Sequence, residues 1–192
     1  MRKNLIYKLK EMWNKIKQVW INETKQEIKD INTVIFILLE NESIPIMEGY
    51  DKYYNPILWN YYKQCKIIKL NYVITLKDET IIKQDVIDFK NNTKALNTLL
   101  EILNSFNVDT IVCYDYKYTI NILLAHCYYN KSSYLIKKLK TLNDECIVTL
   151  SKLKFHKKYQ LEQLYNMLNK NENQSYNSVN LCKKCYFALK KI

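Results

Sequence analysis

The amino-acid sequence predicts an α/β fold in which helices flank a mixed β-sheet. Three strand-like runs follow one another between residues 33 and 89, and helical and strand-like segments then alternate toward the C-terminus, a pattern typical of α/β layers. The 192 residues are 48% hydrophobic and 26% charged, which is enough chain for one core and argues against disorder. We therefore expect an additional N-terminal amphipathic helix over residues 1–30 and one α/β domain over residues 31–192.

The first element is the amphipathic helix, over residues 3–29. Its apolar residues recur at spacings of three and four between lysines: Leu5, Leu9, Met12, Trp13, Ile16 and Trp20. Such a stripe packs on its own domain, docks a partner protein or a second copy, or rests on a membrane surface, and the sequence does not separate these roles. Charges interrupt every apolar stretch, so neither a signal peptide nor a membrane span is predicted, and an intracellular, cytoplasmic protein is expected.

The strands are predicted from apolar runs rich in β-branched residues. They are "TVIFILL" (33–39), "CKIIKLNYVITL" (65–76), "TIIKQDVIDF" (80–89) and "TIVCY" (110–114), with a further apolar run, "ECIVTL", at 145–150. Helical spacing of apolar residues predicts helices at 93–106, 118–129, 133–140, near 159–169 and at 179–191. The expected sheet therefore begins with three consecutive strands and continues through helical crossovers.

Glycine, proline and cysteine usage excludes several classes of protein. The sequence contains one glycine, Gly49, and two prolines, Pro45 and Pro56, so turns must be made by Asn, Asp and Ser. Glycine-rich phosphate-binding loops are absent, which excludes P-loop and dinucleotide-binding sites. The six cysteines lie mostly inside apolar runs, as expected of reduced, buried thiols in an intracellular protein.

Basic residues are concentrated near the C-terminus. The formal net charge is +11, and residues 131–192 contain thirteen basic and four acidic residues. A lysine-rich surface serves solubility or binds a polyanion. Within "LIKKLK" and "KLKFHKKY" the lysines lie beside Tyr and Phe, which suits contacts to phosphates and bases. Six lysines are therefore candidates for nucleic-acid binding: Lys137, Lys138, Lys140, Lys154, Lys157 and Lys158.

Three segments share their order and spacing with a known set of motifs. "VIFILLENE" (34–42) is a strand with one acid near its end, "CYDYKYTINIL" (113–123) leads into a helix, and "NQSYNSVNLCKKCYF" (173–187) leads into the last helix. They resemble the Asp-x-Glu, hNxxFDxxxL and His-x-Ala-x-x-Asp-Val motifs of the DEDD group of 3′→5′ exonucleases, which includes proofreading exonucleases. The resemblance covers about residues 33–190 and implies a ribonuclease H-like mixed sheet flanked by helices.

The resemblance also implies that most catalytic groups are lost. The family's Asp-x-Glu, second-motif Asp, general-base His and third-motif Asp fall, in that order, on Leu38, Glu40, Thr119, Asn173 and Ser178. Two-metal cleavage needs several carboxylates, which Leu, Thr and Ser cannot replace, and Asn cannot accept a proton near neutral pH as His can. The expected protein is not an enzyme but a catalytically inactive relative, without metal or cofactor. It binds nucleic acid or a partner protein in replication or RNA metabolism.

Composition adds an expectation about origin. Lys, Asn, Ile and Tyr are abundant, which indicates an AT-rich viral or parasitic genome, and of these a viral origin is expected.

Three alternatives stay open. Five acids can form a rearranged site for an active metal-dependent nuclease with relocated ligands: Glu40, Glu42, Glu48, Asp51 and Asp115. The pair Cys182 and Cys185 either packs in the core or binds zinc with ligands drawn from His126, His156 and Cys146. The third alternative is a protein-binding scaffold that assembles through the N-terminal helix.

Overall fold

The computed structural model describes residues 32–42, 62, 64–168 and 178–192. The predicted N-terminal helix over residues 1–30 lies outside these residues. Among the candidate site residues, Glu48, Asp51 and Asn173 lie outside them as well.

Within the described residues, five strands form one mixed sheet. The strands are β1 Thr33–Asn41, β2 Ile67–Thr75, β3 Ile81–Asp88, β4 Val108–Cys113 and β5 Asn143–Cys146. Their order is β3-β2-β1-β4-β5; the β1–β2 and β2–β3 pairs are antiparallel, and the β1–β4 and β4–β5 pairs are parallel. Because β1 is central and covered on both faces, its first five residues are all buried.

Six helices in the described part of the chain flank this sheet. They are α1 Asn92–Ser105, α2 Tyr116–Tyr129, α3 Ser133–Thr141, α4 Ile147–Phe155, α5 Leu161–Leu168 and α6 Ser178–Lys191. Side-chain caps start α1 and α2: Asn91 Oδ1 accepts from the Lys94 N–H at 2.9 Å, and Asp115 Oδ1 accepts from the Tyr118 N–H at 3.2 Å. In the described ranges, no helix is both long and apolar enough to cross a membrane.

The alternation of side chains along β1 divides the core into two clusters. Ile35 and Ile37 belong to the first cluster, which includes buried residues of α1, α2 and α3. Val34 and Phe36 belong to the second cluster, which includes buried residues of α4, α5 and α6. The Phe36 ring meets Tyr186 of α6 edge-on, with 5.4 Å between centroids, a favoured aromatic geometry. The sheet is therefore sandwiched between two helical layers, as predicted.

The apolar run at residues 145–150 differs from the other predicted segments because it is divided between two elements. β5 ends at Cys146 and, among the described strands, pairs with β4 alone; an edge position tolerates polar residues such as Asn143. α4 then begins at Ile147, which is fully buried in the second cluster. The Val148 N–H donates to the Tyr114 carbonyl at 3.0 Å, and periodicity along the sequence does not reveal such a tertiary contact. The other predicted elements within the described residues are confirmed to within two residues.

Candidate functional site

The C-terminal end of β1 is the place where the motif resemblance predicts the first two carboxylates. Leu38 lies opposite Asn71 of β2. Its side chain is half-buried and packs on the second cluster, which contains Val179 and Cys182 of α6. Leu38 thus continues the apolar face that Val34 and Phe36 begin, and it supplies no donor atom.

Glu40 is exposed two residues further along the same face of β1. Its Oε1 accepts a hydrogen bond of 2.7 Å from Asn71 Nδ2 on the neighbouring strand. Lys69 is its register partner across the β1–β2 pair. The carboxylate therefore takes part in a cross-strand interaction of the kind that stabilises sheets.

Asn41, the last residue of β1, connects the strand to α2. Its Nδ2 lies 3.0 Å from the Tyr118 hydroxyl, 2.9 Å from Cys65 Sγ and 2.9 Å from the Glu42 carbonyl. Burial raises the pKa of Tyr118, and the hydrogen bond with Asn41 opposes that shift. Because Tyr118 lies in the first turn of α2, this contact brings the start of α2 to the end of β1.

Thr119, which the motif resemblance aligns with the second-motif Asp, is buried in α2. Its N–H donates to the Asp115 carbonyl at 3.1 Å, and its side chain interacts with the Cys113 thiol. Burial raises the pKa of Cys113 well above its usual range, a shift that this interaction partly opposes. Thr119 therefore lies among core side chains at the end of β4.

Ser178 is exposed at the first position of α6. The next residue, Val179, is buried in the second cluster, on which Leu38 also packs. Leu38 and the start of α6 therefore share one layer, whereas Thr119 belongs to a helix of the other layer.

The acids of the alternative rearranged site have separate partners where the structure describes them. Glu40 accepts from Asn71, Glu42 forms an ion pair of 3.0 Å with Lys66, and Asp115 caps α2. Over residues 32–42, 62, 64–168 and 178–192, no group of three or more His, Cys, Asp or Glu side chains is arranged to hold a metal ion.

The candidate zinc ligands do not all meet: Cys146, Cys182 and Cys185 lie near Tyr114, whereas His126 belongs to α2 in the other helical layer. Cys182 and Cys185 are buried in the second cluster, and burial raises the pKa of both, that of Cys185 to about 12. Cys146 Sγ donates to the Tyr114 carbonyl at 3.6 Å. His126 is buried, with Nε2 2.8 Å from the Cys65 carbonyl, and His156 is exposed as the C-cap of α4.

The six candidate lysines form two groups near opposite ends of β4. The α3 group is Lys137, Lys138 and Lys140, and the α4 group is Lys154, Lys157 and Lys158. Lys138 Nζ donates to the carbonyl of Val108, the first residue of β4, at 3.1 Å. In contrast, the Tyr114 hydroxyl, one residue beyond β4, donates to the carbonyl of Tyr159, which directly follows the α4 group. A six-residue strand spans about 20 Å, so the structure does not bring the two groups together.

Sequence reasoning missed Asn41 at the end of β1, Asn71 of β2 and the exposed Tyr134. Asn71 is a lone amide in an apolar strand, which is a usable signal because such a group needs a partner. Tyr134 precedes Lys137 and Lys138 by three and four residues, a spacing that places all three on one helix face.

Comparison with known proteins shows a similarity of fold. No protein-family model matches the chain, and no curated protein sequence matches it. Among solved structures, the chain is similar to Pop2p of S. pombe, described in a form with Mg²⁺ and Mn²⁺ bound, with a TM-score of 0.59 and 13% sequence identity. The likeness covers 91% of this chain and 88% of that chain. The predicted ribonuclease H-like mixed sheet flanked by helices is confirmed.

Proposed function

We propose that this protein is a catalytically inactive, exonuclease-like domain that binds nucleic acid in replication or RNA metabolism. The packing of Leu38 carries the proposal. At the strand position where the exonuclease resemblance requires a metal-binding Asp, an aliphatic side chain packs on the second cluster.

The donor groups at the end of β1 do not fit a pair of divalent ions. Two-ion cleavage needs several carboxylates around ions about 4 Å apart, and Mg²⁺ requires hard oxygen ligands in near-octahedral geometry. Leu38 has no donor atom, and Thr119 is buried in α2. The Glu40 carboxylate, hydrogen-bonded to Asn71, offers at most one attachment point for an ion, so two-ion hydrolysis is not expected here.

Nucleic-acid binding is supported by the distribution of charge. Residues 131–192 carry thirteen basic and four acidic residues, and α3 contains three lysines and no acid. Lysines that contact phosphates release counterions, so the affinity they confer falls steeply with salt. Binding by phosphate contacts needs no catalytic carboxylates, and therefore it is compatible with the loss of hydrolysis.

The test follows cleavage and binding in the same experiment. The purified full chain is incubated with labelled single-stranded and double-stranded DNA and RNA, with Mg²⁺ or Mn²⁺ and at several salt concentrations. We expect salt-sensitive retention on a filter and no cleavage. The test variant is Glu40→Ala, and its matched control is Glu101→Ala, which removes an exposed acid of α1.

Two results would overturn the proposal. Metal-dependent cleavage that is lost in Glu40→Ala but kept in Glu101→Ala would favour an active nuclease with relocated ligands. No retention of any nucleic acid, together with a stable oligomer in size-exclusion chromatography, would favour the protein-binding scaffold.

A further inference from the structure

We propose that the binding surface is the α3 face, and that it takes single-stranded nucleic acid, with bases stacked on Tyr134 and Tyr128 and phosphates bound by Lys137 and Lys140. This inference rests on the proposed function and locates its site away from the end of β1.

A groove runs along each side of α3. The groove between α1 and α3 has a volume of about 380 Å³ and is lined by Leu100, Asn104, Tyr134, Lys137, Lys138 and Thr141. The groove between α2 and α3 has a volume of about 470 Å³ and is lined by Leu124, Tyr128, Ile136 and Lys140. Both volumes fall within the range of about 300–1,000 Å³ that is usual for small-molecule sites. Each groove therefore has room for a nucleobase.

Each groove presents an aromatic ring to solvent. Tyr134 is 78% exposed and Tyr128 is 66% exposed. The Tyr128 ring also meets Tyr129 edge-on, with 5.5 Å between centroids, a favoured aromatic geometry. Aromatic side chains stack on bases of any sequence, and this is the usual way in which proteins hold single strands. The two tyrosines thus supply one stacking platform on each side of α3.

The charge of the grooves favours a polyanion. No acidic side chain is among the described residues that line either groove. Lys137 and Lys140 are exposed on α3, whereas Lys138 donates to the Val108 carbonyl at 3.1 Å and is held against the fold. We therefore assign the phosphate contacts to Lys137 and Lys140.

A larger groove elsewhere does not have this excess of positive charge. It lies between β3 and α1, has a volume of about 730 Å³, and carries three lysines together with three acids: Lys83, Lys90, Lys94, Asp85, Asp88 and Glu101. Opposite charges offset one another there, so a nucleic acid is directed to α3 rather than to this larger groove.

The geometry selects a single strand over a duplex. A helix with its side chains is about 10 Å wide, while stacked bases follow one another every 3.4 Å or so along a duplex strand. Bases that reach both sides of α3 must therefore be unstacked from each other. Stacking on a tyrosine also requires an uncovered base face, which single strands provide and paired helices do not.

The experiment measures the affinity of the full chain for a labelled single-stranded oligonucleotide and for its duplex. Tyr134→Ala should weaken single-strand binding about ten-fold, and Tyr134→Phe, which keeps the ring, should not. Lys137→Ala should reduce the slope of log affinity against log salt by about 0.7. The matched control is Lys94→Ala, which removes an exposed lysine of the mixed-charge groove and should leave affinity and slope unchanged.

The outcomes separate this inference from the proposed function. If the wild type binds no nucleic acid, the α3 site and the proposed function are both wrong. If it binds but Tyr134→Ala binds equally well, or if the duplex binds as tightly as the single strand, the α3 site is wrong while nucleic-acid binding stands. If Tyr134→Ala disrupts a dimer in sedimentation without changing the affinity for the oligonucleotide, the α3 face is a protein contact and the inference is overturned.

Discussion

Replacing Leu38 by Asp introduces a carboxylate at the position where the exonuclease resemblance expects one. The variant tests whether the end of β1 is part of the core or an open ion site. The introduced charge would face the second cluster, on which Leu38 packs. It would also lie on the same face of β1 as Glu40, two residues away. We expect the substitution to destabilise the fold and to create no metal site.

The expected loss follows from the burial of Leu38. Full burial of a Leu side chain contributes about 1.5–3 kcal/mol, and Leu38 is half-buried, so its apolar contacts contribute roughly 1 kcal/mol. Desolvation of the new carboxylate and repulsion from Glu40 add to this loss. We predict that Leu38→Asp lowers the free energy of unfolding by about 2–3 kcal/mol at pH 7.

The assay is urea unfolding followed by circular dichroism, with Leu38→Asn as the uncharged control of similar shape. Contact with the cluster should raise the pKa of the introduced Asp above its unfolded value of about 3.9. Above the folded-state pKa, the charge of the introduced Asp therefore lowers the free energy of unfolding. This effect is lost as the pH falls toward the unfolded-state pKa. The difference in stability between Leu38→Asp and Leu38→Asn should therefore shrink as the pH is lowered from about 7 to about 4.

Two results would contradict the expected behaviour of Leu38→Asp. Wild-type stability in Leu38→Asp at pH 7 would mean that the position is open to water. Stabilisation of Leu38→Asp, but not of Leu38→Asn, by millimolar Mg²⁺ would mean that a single substitution restores an ion site.

Three further predictions concern the core around this site. Thr119→Val removes the buried hydroxyl that interacts with Cys113 and should lower the free energy of unfolding by about 1 kcal/mol. Thr119→Asp buries a charge instead and should lower the free energy of unfolding several times more. Equal urea midpoints for the two variants would contradict this. Burial raises the pKa of Tyr72 and Tyr116 to about 12, above the unfolded value of about 10. The free energy of unfolding should therefore be constant below about pH 10 and fall as the pH rises toward about 12. A urea midpoint that does not change over that range would contradict this. Burial raises the pKa of Cys113 and Cys182. Both thiols should therefore react with a thiol reagent at about pH 8 only after the protein unfolds. Peptide mapping that finds either cysteine labelled in the native protein would contradict this.

The sequence predicted the sheet well because strand and helix periodicities are local. β1 to β4 and five of the described helices follow from runs of β-branched residues or from spacings of three and four. α4 was not predicted, because its start depends on burial of Ile147 in the second cluster and on the hydrogen bond from the Val148 N–H to the Tyr114 carbonyl. Both contacts join segments that are distant in sequence, and no local pattern encodes them.

The contacts of the candidate site could not be predicted from the sequence. That Leu38 and Thr119 replace catalytic acids stays a prediction of the motif resemblance. The hydrogen bonds of Glu40 with Asn71 and of Asn41 with Tyr118 depend on strand register and on helix placement, which the sequence does not give. For the same reason, the sequence does not show that the α3 and α4 lysine groups lie near opposite ends of β4.

Mn²⁺-induced broadening of the backbone amide signals in the NMR spectrum of the full chain shows whether the end of β1 binds a divalent ion. Mn²⁺ is paramagnetic, so a bound ion would broaden the amides around it. We predict that the amides of Leu38, Glu40 and Thr119 are broadened no more than that of Glu101, an exposed acid of α1. Saturable broadening centred on the end of β1, and lost in Glu40→Ala, would contradict the account.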